Sequence, residues 1–393
     1  MTEDKALVLA SVASMIDQFN ISNIHILQSL GYKVDVVADF KNPGTITSER
    51  AENLKTSLIN MDVRVIDIAI PRSLSLSAVL SAYEEVKKLI KAEQYDLIHC
   101  HSPIGGAICR LAARVGKKNG TKVIYTAHGF HFYDGAPLKN WLIFYPVERA
   151  LSRWTDVLIT INKEDYHRAS EQFKAKKTVY IPGVGVDTEK FAVCKVDNKK
   201  KRRDLSVKTD DFLLLSVGEL SERKNQRIII EALGKMKTEG SLGNTVYLAV
   251  GKGDMQKTFE GLVKEYGLEG CVKFLGFRTD IAELCKTADC FVHPSVREGL
   301  GIAPLEAMAA GLPLISAKVN GIKDYTEEGV SGCCIDPESV DEMAAAIRKM
   351  DNDTGFREKC GRNNVVTARQ FDINRTNEIM RNIYKERKKR IRV

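Results

Sequence analysis

Short runs of β-branched and apolar residues alternate along this chain with longer stretches whose apolar positions recur every three or four residues. A continuously apolar run of four to eight residues fits a strand buried on both faces, and a three-to-four spacing fits one face of a helix. The alternation therefore predicts βαβ units on parallel sheets. In the first half the predicted strands are 6–12, 33–38, 63–66, 97–100, 122–126, 157–161 and 178–181, with helical periodicity clearest at 77–92 and 138–153. Pro182-Gly183 stops the regular pattern, and 193–208 is polar and basic without a period, as in a linker or surface loop. A second series places strands at 212–217, 245–250, 272–275, 290–293 and 314–316, and helices at 223–237, 255–266, 281–287, 304–310 and 340–349.

The length of 393 residues suits two domains, and 44% hydrophobic with 28% charged residues is a globular balance. No apolar run reaches the roughly 20 residues of a membrane helix. Glu3 and Asp4 stand where a signal peptide is basic, so secretion is not expected. Nine cysteines without metal-ligand spacing point to free thiols in a reducing compartment, hence a cytoplasmic location, and to no structural zinc.

The net charge of +8 is concentrated in Lys199-Lys200-Lys201-Arg202-Arg203 and in the stretch 385–392. Neither run interleaves aromatics or carries a nucleic-acid motif, so nucleic acid is not expected as a partner. The remaining readings are a solvated linker with a solvated helix end, or contact with anionic lipid head groups.

The first strand leads into Ser11-Val12-Ala13-Ser14-Met15-Ile16-Asp17, not into G-x-G-x-x-G, and no G-x-x-x-x-G-K-[ST] occurs. Dinucleotide and P-loop chemistry are excluded on that ground. Asp17, in a small-residue turn, is an expected acceptor-side residue. Gly218-Glu219-Leu220-Ser221-Glu222-Arg223-Lys224-Asn225 follows a strand and precedes a helix. Two adjacent cations there oppose the helix macrodipole unless they serve an anion such as a diphosphate. The most informative stretch runs from His293 through Arg297-Glu298-Gly299-Leu300-Gly301-Ile302-Ala303-Pro304-Leu305-Glu306 to Gly311. It combines a strand end, a glycine loop that opens backbone N–H groups, and a helix with proline in its first turn. Glu298 and Glu306 flank the loop, and carboxylates accept paired hydrogen bonds from sugar or ribose diols.

With Arg223-Lys224 upstream, this glutamate pair resembles the donor site of the retaining nucleotide-sugar glycosyltransferases of family four, which adopt the two-domain GT-B fold. Asp96 to His101, Thr126 to Phe130 and Pro182-Gly183-Val184-Gly185-Val186-Asp187 extend the resemblance through the first half. The stretch from His128 to Trp141 is similar to the branch that builds bacterial capsular and exopolysaccharides on lipid carriers. The resemblance implies two Rossmann-like α/β domains facing each other across a cleft. They would be an acceptor-side domain over 1–190, a basic linker over 191–208 and a donor-binding domain over 209–370, with a helix from 371 to 393 crossing back to the first.

It also implies roles. Glu306 would hold the ribose and Glu298 the donor sugar. Lys224 and Arg223 would neutralise the diphosphate, with Gly218 in the same turn. Gly299, Leu300, Gly301 and Ile302 would touch phosphate and sugar, Phe277 and Arg278 would lie by the base, and His128 would sit near the anomeric centre. Two departures stand out: Glu219 occupies a place where many members have arginine, and Met15-Ile16 replace a paired glycine. Of the remaining histidines, His99 reads as strand-end packing and His101 as a candidate cleft residue. No acidic pair or ligand spacing marks a metal site, so neither metal nor other cofactor is expected.

The expected activity is transfer of a sugar from a nucleoside diphosphate donor, UDP-linked in preference to GDP-linked, to a hydroxyl of a lipid-linked saccharide, with retention. A nucleotide-sugar 2-epimerase of the same fold and a non-catalytic partner subunit are the alternatives. Glu219 favours the latter, and the Glu298, Glu306, Lys224 and His128 set opposes it.

Overall fold

A computed structural model describes residues 4–72, 75–116 and 120–386. It divides into two units, the first holding residues to Val184 and from Arg375 onward, the second Gly185–Asn374.

The first unit is built on seven strands: β1 (Asp4–Val12), β2 (Tyr32–Asp39), β3 (Arg64–Asp67), β4 (Leu97–His101), β5 (Lys122–Ala127), β6 (Val157–Thr160) and β7 (Lys177–Tyr180). All are parallel, in the order β3-β2-β1-β4-β5-β6-β7. β4 and β5 are buried along their whole length, with His99, His101, Lys122 and Thr126 enclosed among their apolar residues. One core cluster joins Leu7, Leu9, Ile98 and Val123 of the sheet to Val86 and Ile90 of the helix Leu76–Glu93.

The second unit carries β8 (Phe212–Val217), β9 (Thr245–Val250), β10 (Val272–Gly276), β11 (Cys290–His293), β12 (Leu314–Ala317) and β13 (Gly332–Ile335), again all parallel, in the order β10-β9-β8-β11-β12-β13. Leu214, Tyr247, Val292 and Ile315 pack there against Ile229 and Leu233 of the helix Gln226–Thr238. β13 and the helix Thr354–Ala368 are additions to the elements read from sequence.

Three expectations are corrected. The stretch 191–208 is not a free linker: the helix Asn198–Asp204 lies in it, N-capped by Asp197, whose Oδ1 accepts from the Lys200 N–H at 3.0 Å. Its basic run is anchored. Arg202 is buried, and its guanidinium donates to Asp289 Oδ2 at 2.8 Å and to the Asp211 carbonyl at 2.8 Å. Lys201 pairs with Asp280 and Glu283. The first boundary falls at 184/185, not 190. The return segment starts at Arg375, because Phe371 is buried in the second unit with its ring 5.7 Å from that of Tyr325.

The helix Ile373–Lys385 joins the first unit through a 2.7 Å hydrogen bond between the Tyr384 hydroxyl and His99 Nδ1, and through Lys122 Nζ donating to the Ile383 carbonyl at 2.6 Å. Beyond Glu386 the C-terminal basic run lies outside the described residues. Among the described residues no helix is long and apolar enough to cross a membrane.

Candidate active site

The carboxyl ends of parallel strands gather the chemistry in each unit, as they do generally at the point where strand order reverses. In the second unit that point lies between β8 and β11, whose chain continuations run outward in opposite directions. The turn Gly218–Asn225 leaves β8 and the loop Pro294–Gly301 leaves β11. They are tied together: the Val296 N–H donates to the Arg223 carbonyl at 3.0 Å, and Asn225 Nδ2 donates to the carbonyls of Pro294 at 3.2 Å and Pro337 at 2.8 Å. Asn225 sits in the left-handed region at φ 57° and starts the helix at Gln226. Arg223 and Lys224 therefore precede the helix and do not lie in its first turn, a shift from the sequence-based start at 223.

Three groups converge on Glu298. Lys224 Nζ forms an ion pair with its Oε2, Arg223 Nη1 lies 3.3 Å away and His293 Nε2 3.6 Å away. Burial alone would raise this carboxyl, but His293, Lys224 and Arg223 outweigh it and hold Glu298 below the ordinary carboxylate range. Glu219 is half exposed and lies 3.8 Å from Arg223 Nη2, so it shares that cation without reaching Lys224. Nothing in the local sequence distinguishes His293 from a packed histidine at a strand end.

Gly299, Leu300 and Gly301 carry the chain from Glu298 to the helix Ile302–Ala310. Gly301 is its N-cap at φ 83°, where a Cβ would lie 3.1 Å from Glu298 Cγ and 3.2 Å from His293 Nε2, so only glycine fits without displacing the carboxylate. No side chain caps this terminus, which leaves its first N–H groups facing outward for an acceptor. A Cβ on Gly321 would meet the Gly299 carbonyl oxygen at 2.0 Å, and the Tyr325 hydroxyl donates to the Leu300 carbonyl at 2.8 Å. Both contacts fix the loop from behind and were not read from sequence.

Glu306 lies in the same helix, largely buried, and no side chain hydrogen-bonds to it among the described residues. Burial raises its carboxyl to about 7 against the opposing field of Lys190 in the helix Thr188–Val193. A buried carboxyl without donors suits a site whose hydroxyls come from a ligand. Phe277 is 74% exposed after β10, and Arg278 is held by Asp280, with Nε to Oδ1 at 2.8 Å. No contact ties either of them to Glu298. Gly218 sits at the end of β8, its N–H donating to the Val250 carbonyl at 2.9 Å, with the stem of Lys224 3.5 Å from where a Cβ would be.

In the first unit the strand-order reversal lies between β1 and β4. The expected loop after β1 does not exist. The chain passes from Val12 directly into the helix Ala13–Phe19, because the sequence there has no glycine to leave helical geometry. Asp17 is in that helix, and Arg50 neutralises it with a two-pronged pair at 2.9 and 3.1 Å.

His101 is buried. Its Nδ1 shares a 3.1 Å hydrogen bond with His128 Nε2, and its Nε2 has no partner. His99 packs against it at 4.1 Å between ring centroids and is bonded to Thr126 and Tyr384. Burial pushes His128 down to about 4 and His99 down to about 3, so both rings are neutral at physiological pH. The side chain of Phe19 rests 5.2 Å from the His128 ring. The candidate residues thus form two groups, Asp17, His101 and His128 on one unit and the rest on the other. Among the described residues no cluster of three or more His, Cys, Asp or Glu is gathered to hold a metal ion.

The family described as Glycosyl transferases group 1 matches residues 197–365, and that described as Glycosyl transferase 4-like matches residues 5–162. The chain is 38% identical to the putative glycosyltransferase EpsD of Bacillus subtilis over 97% of its own length and 96% of that protein. It is 29% identical, over 80% of its length and 81% of the relative's, to the UDP-Gal:alpha-D-GlcNAc-diphosphoundecaprenol alpha-1,3-galactosyltransferase of Escherichia coli. Among solved structures, Anabaena HepE in complex with UDP and glucose has the same fold, with a TM-score of 0.77 at 22% identity covering 97% of this chain and 99% of that one.

Proposed function

We propose that this chain, which belongs to the group 1, 4-like glycosyltransferases, moves a hexose from a UDP-linked donor to a hydroxyl of a lipid-linked saccharide, with retention and without a metal ion. The observation that carries the reading is the Glu298–Lys224–Arg223 cluster at the reversal point of the second sheet, beside the uncapped helix Ile302–Ala310. Two cations and a row of backbone N–H groups suit a diphosphate. Glu298, held ionised, is an acceptor for sugar hydroxyls, and Glu306 for ribose hydroxyls.

Lys224 and Arg223 pair with Glu298. A donor diphosphate would draw them onto its oxygens and release Glu298 towards the sugar. The bond from the anomeric carbon to the diphosphate then breaks, and the bond to the acceptor oxygen forms on the same face. The acceptor proton passes to the leaving phosphate oxygen. Lys224 and Arg223 stabilise the charge that develops there, which is the work a divalent ion does elsewhere. Neutral His128, steadied by His101, would stand near the anomeric centre, and Phe277 and Arg278 by the uracil.

Two relatives support the choice of substrates: HepE, which binds UDP, and the Escherichia coli galactosyltransferase, which is named for a diphosphoundecaprenol-linked saccharide. With nine free thiols in the chain, we place the reaction on the cytoplasmic face of a membrane, in the assembly of a capsular or extracellular polysaccharide. The test is incubation with UDP-hexoses and a diphosphoprenyl saccharide in the presence of EDTA, with the product's anomeric configuration read by proton NMR. An α-linked product formed at an undiminished rate is expected. A β-linked product, or a rate abolished by EDTA, overturns the reading.

A further inference from the structure

The helix Leu138–Ser152 presents an outward face that is apolar and cationic and carries no acid. Leu138 is 73% exposed and Leu142 69%, Ile143 and Val147 are about half exposed, and Pro146 is exposed among them. Surface leucines scattered singly need no explanation, but five large apolar residues on one helix face do. The helix has one acidic residue, Glu148, which turns inward, is buried, and bonds to Arg110 at 2.8 Å and to the Tyr125 hydroxyl at 3.0 Å. The outward charges are Lys139 and Arg149, with Arg153 immediately after the helix, and all three are exposed.

A shallow cavity of about 250 Å³ opens beside this face, lined by Tyr145, Pro146, Arg149, Ala150, Arg153 and Lys174. Three cations and no acid surround it. Arg149 is aimed by its Nε donating to the Gln172 carbonyl at 3.2 Å.

An apolar ridge flanked only by cations is the pattern of a helix lying in a lipid interface. A second copy of the chain is the poorer occupant, because a two-fold contact would set these cations against one another. We propose that this face docks on an anionic lipid bilayer. Leu138, Leu142, Ile143 and Val147 enter the boundary of the acyl chains, and Arg149, Arg153 and Lys174 hold lipid phosphates. The docking uses the first unit alone and stands apart from the donor chemistry of the second, so either can fail without the other.

The experiment is co-sedimentation of the full chain with vesicles of phosphatidylglycerol in phosphatidylcholine and with vesicles of phosphatidylcholine alone. The wild type should pellet with the first and not with the second. Each cation at an anionic surface is worth about 1 kcal/mol, about fivefold in binding. R149E/R153E should therefore bind at least ~25-fold more weakly, and L142E/V147E at least ~10-fold more weakly. Both variants should keep the wild-type melting temperature and its shift with UDP. If L142E/V147E melts early, Leu142→Gln carries the same readout. A chain ending at Glu386 should still pellet with the phosphatidylglycerol vesicles and not with phosphatidylcholine alone, and R149E/R153E should weaken its binding by the same factor. Equal binding of variants and wild type, binding lost only on shortening the chain, or no wild-type binding overturns the proposal. So does a dimer broken by L142E/V147E without vesicle binding.

Discussion

Replacing Lys224 with alanine lowers turnover by about 10²-fold or more, by comparison with the loss of one preorganised donor at a developing anion. Arg223 cannot take over. Its side chain is 43% exposed and divided between Glu298 at 3.3 Å and Glu219 at 3.8 Å, whereas Lys224 is 14% exposed and directed at Glu298 alone. A cation screened by water contributes less than one that is enclosed. Lys224→Arg should recover only part of the loss, because the planar fork does not fit the place of a compact ammonium. Glu219→Arg, which removes the competitor of Arg223 and adds a cation, should raise turnover in the Lys224→Ala background. Steady-state kinetics with the melting temperature as a control measure this, and unchanged turnover in Lys224→Ala contradicts the role assigned to it.

Replacing Arg110 with methionine destabilises the first unit by about 3–5 kcal/mol, the usual cost of stranding one partner of a buried ion pair. Arg110 is fully buried. Its guanidinium lies 3.8 Å from the centre of the Tyr125 ring, Nε donates to the Gly106 carbonyl at 3.0 Å, and Nη2 to Glu148 at 2.8 Å. Without it, Glu148 keeps only the Tyr125 hydroxyl in an apolar surround. A group left unpaired there bears its full desolvation cost. The triple variant R110M/E148L/Y125F, apolar throughout, should recover most of the loss. Urea unfolding followed on the first unit reads both, and a single variant within about 1 kcal/mol of wild type contradicts the account. The same pair ties the helix Leu138–Ser152 to the helix Pro103–Ala112, so Arg110→Met should also weaken vesicle binding without touching the donor site.

Much of the fold is legible along the chain because strands buried on both faces must be continuously apolar. β8 and β9 show this most plainly, with Ser216 in the one and Thr245 in the other set among apolar and aromatic residues. β13 escapes because Gly332-Cys333-Cys334-Ile335 has one β-branched residue in four. The helix Thr354–Ala368 escapes because its buried positions include Gly361 and Asn364 instead of an apolar stripe. Asn364 Nδ2 serves the carbonyls of Leu312 and Ser331, and Gly361 lets the helix approach the Gly311 carbonyl. Residues 198–204 look like solvated linker because their order comes from Asp280, Glu283 and Asp289, about 80 positions away, which no local period reveals.

The site divides in the same way. Glu298, Glu306, Arg223 and Lys224 are visible as chemistry out of place in a surface loop. Their pairing across 74 positions becomes visible only once β8 and β11 are neighbours. His293 and Tyr325 act on the loop from behind, and nothing in their local sequence marks them. The turn after β1 misleads in the other direction, since small residues without a glycine make a helix there and not an anion loop.

The central claim is that the loop from Glu298 to Glu306 binds a nucleoside diphosphate sugar. The measurement that tests it most directly is the thermal shift of wild type and Glu306→Ala with UDP-hexoses, GDP-hexoses and ADP-hexoses, without added metal, at about pH 6 and about pH 8. At 100 times the dissociation constant a ligand adds roughly 2.7 kcal/mol to stability, a shift of several degrees. Burial pushes the Glu306 carboxyl up to about 7, and its ionised form is the better acceptor for the two ribose hydroxyls. Binding therefore releases a proton below pH 7, and affinity rises with pH through neutrality. Stabilisation by UDP-hexose, larger at the higher pH and lost in Glu306→Ala, is the expected result. No stabilisation by any of the three nucleotide sugars, or an equal shift in wild type and variant, would contradict it.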